Sequence, residues 1–372
     1  MTLRRCLLFP LFVLVALLPF AGVSSAHGGP LEVVASGLDN PRGLDVGHWG
    51  QIYVTEAGRG GDGPCATDPE GEPTCLGATG ALTKIWHSKQ RRVLEGLPSL
   101  APEGGGNAIG PSDVSLGFFS AYMTVGLGQN PAVRDGLGPL GSGLGKLYRI
   151  SPFGRVRAVA DIAAYEAAAN PDGGEEDSNP NSVLARPARR YVVDAGGNDL
   201  LRVGPTGRIR TLAVFPERIV LAPPGIPDLP EGTEIPMQAV PTNVVEGPDH
   251  ALYVSQLTGF PFPVGAANIY RVERRGGEPE VYASGFTNVT DLDFGPDGSL
   301  YVVEIATNGL LSGDPTGALK RIPAGGGPAE TIASEGLEAP YGVAVSRKGD
   351  IYVSNHATSP GEGEVVRVDT GE

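Results

Sequence analysis

Asp291-Leu-Asp-Phe-Gly-Pro-Asp-Gly-Ser-Leu-Tyr-Val-Val-Glu304 holds two stretches rich in apolar residues around a Gly-Pro-Asp-Gly turn. Alternation interrupted by turn residues is the pattern of a β-hairpin. Its tyrosine is one copy of a repeated slot: Tyr53, Tyr122, Tyr191, Tyr253, Tyr301 and Tyr352 each sit between mostly apolar neighbours. Six of the 11 tyrosines occupy this position. After each comes an apolar-basic-aliphatic signal, with Lys84, Arg149, Arg202, Arg271, Arg321 and Arg367 at its centre. Four antiparallel strands per repeat, here A to D, and six repeats predict an all-β, six-bladed β-propeller.

The two ends of the repeat array complement each other. The sixth unit stops after its third strand, near Asp369. Leu31-Glu-Val-Val-Ala-Ser-Gly-Leu38 resembles the fourth strands Glu280-Val-Tyr-Ala-Ser-Gly-Phe286 and Glu330-Thr-Ile-Ala-Ser334. The N-terminal strand is therefore expected to complete the last blade, which removes two exposed sheet edges.

Ahead of that strand lie Arg4-Arg5, an apolar run from Cys6 to Phe20, and Ser24-Ser25-Ala26. A positive start, a short apolar run and small residues before a cut have the form of a secretory signal. Residues 1–26 are read as that signal and residues 27–372 as a single propeller domain, secreted or periplasmic, with no membrane insertion after cleavage. Cys65 and Cys75 are then the cysteines left, and an even count in an oxidising compartment predicts a disulfide. The chain has 56 Gly and 34 Pro yet is 41% hydrophobic, so turns are dense but a core is affordable. Its net charge of −14, or −16 without Arg4 and Arg5, disfavours a nucleic-acid partner.

In an up-and-down blade the A–B and C–D turns share one face, and these are short here: Gly47 to Gly50, Gly295 to Gly298, Ser151 to Gly154. The B–C and D–A connections share the other face and carry nearly all the loop length. Function is expected on that long-loop rim. Two polar sets are expected to meet there. Three residues past the tyrosines stand Glu56, Asp194, Gln256, Glu304 and Asn355, and at the entry to strand A stand Asp113, Asn243 and Asp291. Oxygen donors from separate blades suit Ca²⁺, which takes six to eight oxygens, while the plainer reading has them bonding loop backbones and water. His356, beside Asn355, is the candidate acid/base, and no nucleophile elbow, His-Glu-x-x-His or phosphate loop is present. Leu257-Thr-Gly-Phe-Pro-Phe-Pro-Val-Gly265 reads either as a lid or as an apolar wall for a small molecule or protein, with Leu257, Phe260, Phe262 and Val264 beside Gln256 as contacts.

Several loops carry a resemblance. Gly58-Arg-Gly-Gly-Asp-Gly-Pro-Cys65 with Cys75-Leu-Gly-Ala-Thr-Gly80, Gly96-Leu-Pro-Ser-Leu-Ala-Pro-Glu-Gly-Gly-Gly106 with Gly110-Pro-Ser-Asp-Val114, and Asp177-Ser-Asn-Pro180 resemble the ScyD/ScyE family. So do Val240-Pro-Thr-Asn-Val244, the 257–265 segment and Pro360-Gly-Glu-Gly-Glu-Val-Val-Arg-Val368, so the likeness runs through the whole mature chain. His250 departs from it, standing where glycine is expected in the turn. The resemblance implies an exported propeller and carries over no catalytic residue, because the family has no agreed activity.

The function expected from all this is a binding or assembly module. The alternative is a Ca²⁺-dependent hydrolase of the lactonase type on the same face, drawing ligands from Glu56, Asn243, Asp291, Glu304 or Asn355. A quinone-dependent sugar dehydrogenase fits less well, because the rim lacks the Arg, Lys and His set such a cofactor needs.

Overall fold

The computed structural model describes residues 31–69, 71–226 and 229–370; the expected signal, residues 1–26, lies outside them. Six sheets succeed one another along the chain, each built on an inner strand A: Pro41–Val46, Pro111–Leu116, Pro180–Arg186, Pro241–Glu246, Val289–Phe294 and Val343–Val345. The fold is a six-bladed β-propeller.

The repeated slots are the register of every blade. Tyr53 lies opposite Lys84, Tyr122 opposite Arg149, Tyr191 opposite Arg202, Tyr253 opposite Arg271, Tyr301 opposite Arg321 and Tyr352 opposite Arg367. Strands B and C thus meet as aromatic–cation pairs, flanked by aliphatic pairs such as Leu252–Val272 and Leu300–Ile322. Cross-strand pairs of this kind fix register, since a slip of one residue would turn the apolar set to the wrong face.

Leu31–Asp39 pairs antiparallel with Pro360–Val368, from Leu31 opposite Val368 to Asp39 opposite Pro360. The first described strand is therefore the outer strand of the sixth blade. Apolar cores lie between successive blades, and the last of these joins blade six to blade one through Ala35, Leu38, Ala344 and Val365 against Leu44, Ile52, Val54 and Ile85. The ring closes by packing as well as by hydrogen bonding.

Blade one carries an annex on the long-loop face. Its third strand, Pro73–Trp86, begins well outside the blade and pairs there with Cys65–Thr67. Cys65 and Cys75 stand opposite each other and form the expected disulfide. Blade four is preceded by a hairpin, Arg218–Leu221 with Glu234–Met237, and blade three by the helix Ile162–Ala169. No helix among the described residues is long and apolar enough to cross a membrane.

Candidate functional site

The polar residues three past the tyrosines do not converge on the axis. All five are buried, and four of them clasp the segment that enters their own blade. Glu56 accepts from the Asp39 backbone N–H at 2.8 Å, Asp194 from that of Asn179 at 2.5 Å, Glu304 from that of Thr287 at 2.8 Å and Asn355 from that of Glu338 at 2.8 Å. The four bonds span 15 to 17 residues, so this is one structural device repeated. Gln256 differs, accepting from the Asn268 backbone and from Arg218. The carboxylates also take cations or hydroxyls of their own blade: Arg92 and Thr83 at Glu56, Lys320 at Glu304, Ser178 at Asp194. Their expected place in one shared mouth is thus corrected: strand B ends one layer out from the axis, and the side chains point along the blade.

The strand A set does reach the axis. Asp113 of blade two accepts from the Val183 backbone N–H of blade three at 2.8 Å, and Asp291 of blade five from Val343 of blade six at 2.9 Å. Two residues further on, Asp45 accepts from Leu116 and Asp293 from Val345, each one blade ahead. These side chains occupy edge N–H groups that the innermost strands would otherwise leave unpaired. Between blades six and one no side chain fits: a Cβ on Gly342 would lie 2.7 Å from the Arg42 carbonyl oxygen. Asn243 of blade four is 8% exposed and its Oδ1 has no hydrogen-bond partner.

Burial raises all four aspartates, and repulsion from neighbouring aspartates adds to it at Asp113, Asp291 and Asp293. Asp45 is pushed up to about 6, Asp113 and Asp293 to about 7, and Asp291 well above the ordinary range, with Asp113 facing it. The folded chain then holds more protons than the unfolded chain between about pH 4 and 7, so these groups make stability fall as pH rises through that window. In the presence of chelator, the melting temperature at pH 5.5 should exceed that at pH 8 by about 5 °C. Asp113→Asn and Asp293→Asn should flatten the profile, whereas a parent profile that is level or reversed would show the channel carboxylates to be ionised throughout.

The channel has unlike ends. On the long-loop side Arg42 lies over the Tyr341 ring at 4.7 Å from its centroid, and the Tyr341 hydroxyl donates to Asn181 Oδ1 at 2.7 Å. Asn181 Nδ2 donates in turn to the Thr242 carbonyl. Blade six is thereby braced to blade three across the axis, leaving a cavity of about 110 Å³ at that end. On the short-turn side a cavity of about 1890 Å³ reaches from Asp113, Asn243 and Asp291 past Asp45, Asp293, Arg186 and Glu246 to the A–B turns. Its rim carries Trp49, Phe118, Phe119 and Phe153, each between 74% and 90% exposed. The larger of these two cavities thus opens on the face opposite the one expected to carry function. Long loops fold over the end they crown, while turns of two to seven residues leave theirs open.

The remaining candidates stay on the long-loop face, away from both cavities. His356 lies 3.7 Å from Glu338. Leu257 packs against Ile305, Ala306 and Ala339. Phe260 and Val264 are exposed, and Phe262 stacks edge-on to Phe260 at 6.3 Å. Gly259 donates its N–H to the Gln238 carbonyl, so the segment rests on the entry to its own blade. Among the described residues no three His, Cys, Asp or Glu side chains, as they stand, close on a common metal position.

Fold and channel together define a six-bladed β-propeller with an acidic axial well. No family model matches the chain, and no curated protein is similar to it in sequence. Among solved structures, a PQQ-bound aldose sugar dehydrogenase from Streptomyces coelicolor aligns at 12% identity over 91% of this chain and 97% of that one, with a TM-score of 0.53. A protein of unknown function from Bacteroides thetaiotaomicron aligns at 12% identity over 92% and 72%, with a TM-score of 0.52. A virginiamycin B lyase from Staphylococcus aureus aligns at 14% identity over 90% and 87%, with a TM-score of 0.46. At such identities the likeness is one of fold.

Proposed function

We propose that the chain is an exported binding module, ScyD/ScyE-like, whose ligand enters the axial well from the short-turn face. The observation that carries this reading is the pairing of a buried oxygen-lined floor with an exposed aromatic rim. Asp113, Asp291 and the unbonded Asn243 Oδ1 favour a cationic or donor-rich group at depth. Trp49, Phe118, Phe119 and Phe153 favour a flat apolar body above it.

Both tryptophans, Trp49 and Trp86, lie on the short-turn face, so their fluorescence reports on this mouth. Phenethylamine should quench it saturably, phenylpropionate should not, and Asp113→Asn with Asp291→Asn should weaken the amine about 10-fold. Equal responses to amine and acid, or an unchanged variant, would overturn the reading.

The unbonded Asn243 Oδ1 also supports a second reading, a calcium-dependent hydrolase of the lactonase type. Asp113, Asn243 and Asp291 would hold the ion, an oxygen-only set suited to a hard cation. Bound there, calcium would polarise a substrate oxygen. The base would then come from a channel carboxylate, since His356 stands on the far side of the Arg42–Tyr341 brace.

A further inference from the structure

A second group of acids lies away from the axis, above blade three on the long-loop face. Asp194 ends the second strand of that blade and Asp199 begins the third, directly opposite it. The helix Ile162–Ala169 contributes Glu166, whose Oε2 lies beside Gly197 in the turn between these strands. The acid-rich loop that follows the helix contributes Asp172.

Their environment is unusual for anions. Asp199 is 1% exposed and neither of its carboxylate oxygens has a hydrogen-bond partner. Glu166 is also 1% exposed, and its Oε1 is unpartnered. No Lys or Arg among the described residues forms a salt bridge with Glu166, Asp172, Asp194 or Asp199. Burying a carboxylate in this way costs several kcal/mol unless something compensates its charge. Gly197 keeps the space open, since a Cβ there would lie 2.8 Å from Glu166 Oε2. Asp172 is held facing the group by Asn198 Nδ2, which donates to its Oδ2 at 2.9 Å.

We propose that Glu166, Asp194 and Asp199, with Asp172 closing from the loop, form a calcium site that fastens the helix Ile162–Ala169 to blade three. The donors are all carboxylate oxygens, with no sulfur or imidazole among them, which selects a hard cation. Calcium tolerates irregular coordination of six to eight oxygens, whereas magnesium demands a tight octahedron that buried side chains from four separate segments do not readily supply. As the side chains stand they do not yet close on one point. Rotation of Glu166 about its own bonds and a shift of the exposed loop bearing Asp172 bring the oxygens together around the ion. Without an ion, burial and the neighbouring acids disfavour the charged forms, pushing Glu166 up to about 8 and Asp199 well above its ordinary range.

The test uses the full mature chain, stripped with EDTA and returned to metal-free buffer at pH 7.5. Thermal unfolding with 1 mM calcium should rise by about 5 °C or more, with a smaller rise in magnesium. Asp199→Asn and Glu166→Gln should each abolish the calcium-dependent rise. Neither should lower the melting temperature of the stripped protein, because each amide removes the charge of a buried carboxylate that no cation offsets. Asp291→Asn, in the axial well, should leave the rise intact, which separates this site from a channel ion. Amide exchange across residues 162–169 should slow on adding calcium to the parent and not to Asp199→Asn. A parent insensitive to calcium would overturn the proposal. So would a rise that survives in both blade-three variants, or one that disappears in Asp291→Asn.

Discussion

A chain beginning at Asn40, and so lacking Leu31–Asp39, is expected to lose cooperative unfolding altogether. That strand supplies the outer edge of the sixth blade and buries Ala35 and Leu38 in the core shared by blades six and one. Its removal uncovers Val365 and leaves the backbone of Pro360–Val368 unpaired along one side. It also deletes Asp39, which donates its N–H to Glu56 and receives Arg92. Two hydrophobic side chains and a ladder of hydrogen bonds amount to on the order of 5 kcal/mol or more, a large part of the stability of any domain. Circular dichroism on heating should give a broad transition displaced downward by about 15 °C or more. A sharp transition within a few degrees of the parent would mean that the ring does not depend on this closure.

The second large effect is expected at Glu56. Replacement by Ala leaves the Arg92 guanidinium, the Thr83 hydroxyl and the Asp39 N–H without their common acceptor. Glu56 itself is fully buried, while Arg92 is about one-third exposed and recovers part of the loss from water. A destabilisation of about 3 kcal/mol follows. Glu56→Gln, which keeps an acceptor, should lose less. Both variants should bind phenethylamine in the axial well as the parent does. A variant with parental stability and lost ligand binding would instead place Glu56 in the site. Denaturant titration beside the fluorescence assay decides between these outcomes.

The architecture was readable because its repeat is written in side chains that must pair. A tyrosine in one strand and a basic residue in the next recur because each blade sets them opposite each other, and Leu31 to Leu38 resembles a fourth strand because it is one. The disulfide followed from two cysteines in a loop. The site was less legible, because polarity at a strand end does not reveal direction. Glu56, Asp194, Glu304 and Asn355 share a slot with a clear period, yet the slot serves the entering backbone of the same blade.

A second period in the sequence does mark the axis. The position just before the axial slot reads Arg42, Ser112, Asn181, Thr242, Thr290 and Tyr341, polar or aromatic in every blade. Ser112, Asn181, Thr242 and Thr290 each donate to a carbonyl of the following blade, and Arg42 with Tyr341 closes the channel. Asp199 and Glu166 carry no such period. They become neighbours only when a helix inserted between blades folds down onto a hairpin, which no local pattern announces.

The brace from Tyr341 to Asn181 makes the axial passage a cul-de-sac. Whatever lodges against Asp113 and Asp291 must depart through the doorway by which it arrived, beneath Trp49, Phe118 and Phe119. Residence time is then governed by those turns rather than by the crown of loops opposite, and any molecule docked across them would lock the occupant in.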